Sequence, residues 1–137
     1  MNEEWDVPTP VITDTVNVNI VSDESDTFGT PTNLVNEITA PYATETPIVS
    51  YTVPVNKEFN ITKVIGWGDY DGEFFVRIDG VFMGGGRNST ANRTLTLMYE
   101  MGPIMATAGQ LIEVSIFHYS PSMQIFKVTV EGGLKDA

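Results

Sequence analysis

The chain has 137 residues, no cysteine, and 18 acids against 7 bases for a formal net charge of −11. Without thiols it has no disulfide framework, thiolate metal site or thiol redox chemistry, and its acidity argues against nucleic acid and membrane partners, because phosphates and anionic lipid heads repel it. The opening Met1-Asn2-Glu3-Glu4-Trp5-Asp6 has acids where a secretory leader needs bases, and no apolar run approaches the roughly 20 residues of a membrane span, which predicts a product of the cytoplasm.

The acids are unevenly placed. Nine of the 18 precede Lys57, the first basic residue, and the other nine share the remainder with all 7 bases. This asymmetry divides the chain into an extended acidic N-terminal arm, residues 1–48, and a nearly neutral folded body, residues 49–137. A body of that size buries only about 60 to 65% of the surface its unfolded chain exposes, so self-association, as a trimer, is expected to add stability.

In the arm, Pro8, Pro10, Pro31, Pro41 and Pro47 leave little room for helices and favour extended backbone. Val16, Val18 and Ile20 alternate with Thr15, Asn17 and Asn19, the period-two pattern of a strand with one face meant for burial. Asp23-Glu24-Ser25-Asp26 has the composition of a disordered tail. Set against that are Trp5, Val11, Ile12, Leu34, Val35 and Ile38, apolar residues suited to docking on a neighbour. The expected partner-binding set is therefore Trp5, Val11, Ile12, Val16, Val18, Ile20, Leu34 and Val35.

From Val49 onward, short β-rich runs alternate with turn residues every eight to twelve positions or so, the spacing of an antiparallel β-sandwich, jelly-roll-like in style. Strands are predicted over 48–55, 59–67, 73–78, 81–83, 93–99, 110–119 and 123–131. Asp79-Gly80 and Asp71-Gly72 are pairs favoured in tight hairpins, the former more firmly. Phe74, Val76 and Ile78 share one face, as do Ile112, Val114 and Ile116. In the second run, Phe59, Ile61, Ile65 and Trp67 form the apolar set, but Lys63 falls among them and Val64 opposite, which suggests a bulge.

Several motifs invite a chemical reading, and each has a simpler one. Asp69-Tyr70-Asp71-Gly72-Glu73 offers carboxylates to Ca²⁺, but the late bidentate acid of a calcium loop is replaced by Gly80, so a turn is the expected role. Gly84-Gly85-Gly86 resembles a phosphate cradle, yet no helix follows it, so a loop tip is expected. His118, with Ser120 and Ser122 nearby, lacks a locally arranged carboxylate and reads as a hydrogen-bonded residue at a strand end, not a catalytic base. Asn60, Asn88 and Asn92 begin glycosylation sequons without a secretion signal. Met98, Met101, Met105 and Met123 read as core filler. No enzyme, cofactor or metal is expected. Trp67, Tyr70 and Tyr119 are candidate stacking surfaces if the body binds a receptor or carbohydrate.

The segment Tyr51-Thr52-Val53-Pro54-Val55-Asn56-Lys57-Glu58-Phe59-Asn60-Ile61-Thr62 resembles the opening of small β-sandwich modules in tailed-bacteriophage virion proteins. Val76-Arg77-Ile78-Asp79-Gly80 and Ala108-Gly109-Gln110-Leu111-Ile112-Glu113-Val114 are similar to later parts of such modules, and the resemblance covers about Val49 to Leu134. It implies a virion structural role without catalytic residues. The options are a capsid decoration or cement protein bound to the major capsid protein or another virion protein, and a fibre or tail adaptor. In that setting the acidic arm would lie across the outer shell and bridge subunits by adding a strand to a neighbouring sheet.

Overall fold

The structure is a computed structural model and describes residues 11–14, 18–22, 29–99 and 101–137. The described residues form eleven strands and no helix. The strands are β1 (Val11–Asp14), β2 (Val18–Ser22), β3 (Thr30–Ala40), β4 (Thr46–Thr52), β5 (Lys57–Gly68), β6 (Gly72–Ile78), β7 (Val81–Arg87), β8 (Thr94–Met98), β9 (Ile104–Thr107), β10 (Leu111–His118) and β11 (Gln124–Asp136). They make a seven-stranded sheet in the order β1-β2-β3-β11-β5-β8, with β9 also on β5, and a four-stranded sheet in the order β4-β10-β6-β7.

Every pairing is antiparallel. From β3 onward the chain passes repeatedly between the sheets, so that strands adjacent in sequence mostly pair with strands distant in sequence. This is the arrangement of a jelly roll, in which two Greek keys close over one core. β8 and β9 together fill one strand position, because they pair with successive parts of β5, Lys63–Trp67 and Glu58–Ile61.

The inner faces follow from alternation. Phe74, Val76 and Ile78 of β6 are buried, as are Ile112, Val114 and Ile116 of β10, which matches the periodicity of both segments. Facing them across the sandwich are Leu34, Phe59, Ile61, Val64, Phe126, Val128 and Val130. Phe74 and Phe126 meet edge to face at the centre, with ring centroids 6.0 Å apart. Glycines make room for these rings: a Cβ on Gly66 would overlap Phe74, and one on Gly68 would overlap Phe126.

The bulge expected in β5 is present. Lys63 pairs with Glu131 and Ile61 with Gly132, leaving Thr62 as the extra residue. Beyond it the inward phase passes to Val64, Gly66 and Gly68, so Ile65 and Trp67 belong to the opposite face from Phe59 and Ile61. The Asp79-Gly80 hairpin also forms, with φ of 49° and 83° at its two turn residues and Ile78 pairing with Val81. Asp79 then anchors β10, since its Oδ1 accepts a hydrogen bond from Leu111 N at 2.7 Å.

Four expectations are corrected. First, the body does not begin at residue 49: β3 lies inside the large sheet, paired with β11 along its whole length, and the sandwich starts at about Gly29. Polar residues at alternate positions and Pro31 made this strand look like arm, but its inward positions Thr32, Leu34 and Ala40 are buried. Second, Asp71-Gly72 is not a tight hairpin, since β5 and β6 lie in different sheets and this pair turns the corner between them. Third, Gly84-Gly85-Gly86 is strand, not loop tip, and belongs to β7. Cβ atoms on Gly84 and Gly86 would crowd Tyr99 and Leu95, so the missing side chains let the β7 and β8 edges close together. Fourth, Met98, Met101, Met105 and Met123 are all exposed and fill no core. Strand alternation and loops, not hydrophobicity, decide where they point.

Candidate interaction surfaces

The side chains with the most chemistry are held in structural roles. His118, at the end of β10, is 1% exposed. Ser120 N donates to its Nδ1 at 3.1 Å, so Nε2 carries the proton and donates to Ala40 O at 2.8 Å. The ring stacks on Phe126 with centroids 5.4 Å apart. Ser120 Oγ accepts from Ser122 N and Gln124 Nε2, and among the described residues no hydrogen bond joins it to the imidazole.

Asp71 accepts from Thr90 N at 2.7 Å, and Asp69 lies 3.6 Å from Arg93, so two carboxylates of the Asp69–Glu73 run tie down the neighbouring loop. Among the described residues no group of three or more His, Asp or Glu is placed to hold a metal ion. Asn88, which the sequence marks only as a sequon, is buried: its Oδ1 accepts from Gly72 N at 2.8 Å and its Nδ2 donates to Arg93 O at 3.0 Å. It thereby joins the corner before β6 to the start of β8. Repeated polar clamping of this kind has no sequence period and could be read only from the fold.

Of the expected partner-binding residues, Trp5 and Val16 lie outside the described residues. Val11 and Ile12 are in β1, where Ile12 pairs with Ile20 of β2, and Val18 pairs with Asp14. Ile20 in turn pairs with Leu34 of β3. Leu34 is fully buried in the chain's own core, which removes it from any docking surface. Val35 points the other way, pairing with Thr129 of β11 and Asn19 of β2. The arm strands thus extend the large sheet, and β1 is its outermost strand. Among the described residues nothing pairs with the far side of β1.

The three candidate stacking residues do not converge. Trp67 is half-buried on the outer face of the large sheet, where it pairs with Lys127. Tyr70 packs edge to face on His118 with centroids 6.3 Å apart, and Tyr119 is 66% exposed beyond the end of β10. A different aromatic set does share one surface, the outer face of the small sheet. There Phe75 meets Phe82 at 6.3 Å, the Arg77 guanidinium lies 5.0 Å above the Phe75 ring, and Phe117 meets Tyr119 at 4.9 Å. Arg77 is also paired with Glu45, which holds its fork in place. Alternation along β6 and β10 puts Phe75, Arg77 and Phe117 outward, a pattern the sequence contained, but register alone brings them together.

At the far end of the large sheet, Lys57 bonds Asp136 at 2.6 Å and holds its carboxyl below the usual carboxylate range. Together with Lys135, Gly29 and Thr30 this pair lines an open cavity of about 280 Å³. Its two lysines are already matched, since Lys135 lies 3.5 Å from Glu58. Burial between β7 and β8 pushes the Tyr99 phenol above the ordinary value of 10.0.

No family model matches the chain, and no curated protein matches it. Among solved structures, the crystal structure of CapF with inhibitor 3-isopropenyl-tropolone is similar at 8% identity, covering 96% of this chain and 32% of that one with a TM-score of 0.33. The capsular polysaccharide assembling protein CapF from Staphylococcus aureus is similar at 7% identity, covering 96% of this chain and 30% of that one with a TM-score of 0.31. The chain spans about a third of the length of these proteins, and scores this low carry nothing about activity.

Proposed function

We propose that this protein is a non-enzymatic structural component of a virion, a decoration or cement protein that attaches to the outer capsid shell through its N-terminal segment. The observation that carries the reading is the placement of β1 and β2: they leave the core, extend the large sheet beyond β3, and end in a strand with no partner on its far side among the described residues. An open strand edge is a template for pairing with another chain, and main-chain hydrogen bonds supply the affinity. The acidic character of the first residues keeps such a segment away from packaged DNA and on the outer surface. The virion setting rests on the resemblance carried by Tyr51–Thr62 and the later turns.

The test is a truncation compared with the full chain on capsids of the phage that encodes the protein. Removing residues 2–28 should abolish capsid binding in a co-sedimentation assay and leave the circular dichroism of the sandwich unchanged. Full occupancy by that truncated protein would defeat the reading.

A second reading, a tail- or fibre-associated module that binds a receptor or carbohydrate, is favoured by the outer face of the small sheet, where Phe75, Phe82, Phe117 and Tyr119 lie beside Arg77. Aromatic faces bordered by fixed polar groups suit sugar rings, which combine apolar and hydroxyl edges. Glycan-array binding lost in Phe82→Ala would support it, and an empty array would count against it.

A further inference from the structure

His118 is the chain's one histidine, and the proposed function makes no use of it. It closes one end of the sandwich, where β10 finishes against the end of β3, the corner between β5 and β6, and the start of β11. The ring is buried, stacked on Phe126 and met edge-on by Tyr70. Both nitrogens are committed. Nε2 donates to Ala40 O at 2.8 Å and Nδ1 accepts from Ser120 N at 3.1 Å, so the site holds one ring proton and has no place for a second.

The same contact decides how the next loop is held. Residues 119–123 run from β10 to β11. Ser120 is buried, whereas Tyr119 and Met123 on either side of it are exposed. Ser120 Oγ accepts from Ser122 N and Gln124 Nε2, bonds that join the loop to itself and to the first residue of β11. Its backbone N–H is what ties the loop to the ring.

We infer that His118 is an acid-sensitive latch: a proton taken up at Nδ1 and the closed form of the 119–123 loop exclude each other. A protonated imidazole is a donor at both nitrogens, so at Nδ1 one N–H would face another. The surroundings do not compensate. The end of β3 supplies Ala40 and β11 supplies Phe126, neither of which titrates, and Lys127 pairs with Trp67 on the outer face of the large sheet. The β5–β6 corner supplies Tyr70, with Asp69 beside Arg93 and Asp71 accepting from Thr90 N. Glu45 at the approach to β4 pairs with Arg77, and Glu73 of β6 pairs with Phe117 on the outer face of the small sheet. None of these acids is bonded to the imidazole. A buried cation without a partner is costly, and the ring reaches water when Ser120 turns out. The bond from Nε2 to Ala40 O survives protonation, so the opening is confined to the loop and β3 stays in place.

The direction follows from proton counting. The open loop binds one proton that the closed loop does not, so the closed form loses ground as pH falls through about 8 to 5, where an imidazole changes charge. One proton limits the effect to about tenfold in the closed-to-open ratio per pH unit. The inference does not depend on the virion reading.

Amide hydrogen exchange on the full chain, expressed as protection relative to the free-peptide rate at each pH, reads the loop directly. Protection at Ser120 should fall from about pH 8 to 5, approaching about tenfold per unit at the acid end, while Val114 and Val128 in the core strands keep theirs. His118→Asn keeps an acceptor close to the Nδ1 position and does not titrate, so protection at Ser120 should there be flat. Nuclear magnetic resonance of the unsubstituted chain supplies a readout that needs no variant: the ring signals of its one histidine and the Ser120 amide signal should move with a common midpoint. Flat protection at Ser120 in the unsubstituted chain, a fall that persists in His118→Asn, or a ring that gains its proton while Ser120 stays protected would each overturn the inference.

Discussion

At one end of the seven-stranded sheet, β2 pairs with Thr32–Val35 of β3 and β1 lies outside it; at the other, β8 and β9 both sit on β5, which also holds β11 over most of its length. The N-terminal pair is an addition to an already closed jelly roll. The β8–β9 pair completes it, since β8 contributes Leu95 and Leu97 to the core margin and packs against the glycines of β7. The difference teaches that an edge can be dispensable to the fold or integral to it. An appended edge can change its partner without disturbing the core, whereas an integral one couples association to the fold.

The largest effect separates the two ends by truncation. Removing residues 2–28 takes away β1 and β2 only, whereas removing residues 2–47 also takes β3 and the start of β4, and with them buried Leu34 and Ala40 and all of β11's pairing on the side away from β5. The longer deletion should leave no cooperative thermal transition, and a retained transition would show that β3 is no part of the folding unit. Next, Phe126→Ala empties the centre shared by both sheets, and by analogy with large-to-small core changes should cost about 3 to 5 kcal/mol in urea denaturation. A loss below about 1 kcal/mol would mean that the ring is not held between Phe74 and His118. Smaller still, Asn88→Ala strands the Gly72 N–H at the β6–β8 corner, while the Arg93 carbonyl keeps the Gly68 N–H at 3.2 Å. It should cost about 1 to 3 kcal/mol, with amide exchange at Gly72 accelerating more than in the core strands.

Much of the body was legible because its signals are local. Alternation in Phe74–Ile78 and Ile112–Ile116 placed both inner faces, Asp79-Gly80 announced its turn, and the misfit of Lys63 and Val64 marked the bulge that the structure places at Thr62. β3 was missed because Asn33, Asn36 and Glu37 hide its burial, and a central strand covered on one face needs only alternate apolar residues. The candidate site was less legible. Val35 and Leu34 are neighbours of equal hydrophobicity, and only the pleat decides that one faces outward and the other the core. The methionines show the same limit: nothing in Met98 or Met105 distinguishes a core thioether from an exposed one until the neighbouring strands are known.

The sequence by itself determined an all-β chain, its inner-face residues in β6 and β10, and an acidic first third, because side-chain period, turn chemistry and charge are properties of adjacent residues. Which strands pair, which edges stay open, and which apolar residues stand outside were decided by tertiary structure alone. In a jelly roll nearly every neighbour is distant in sequence: β3 meets β11, and β4 meets β10. Edges and faces are therefore created by long-range register, which no local pattern encodes.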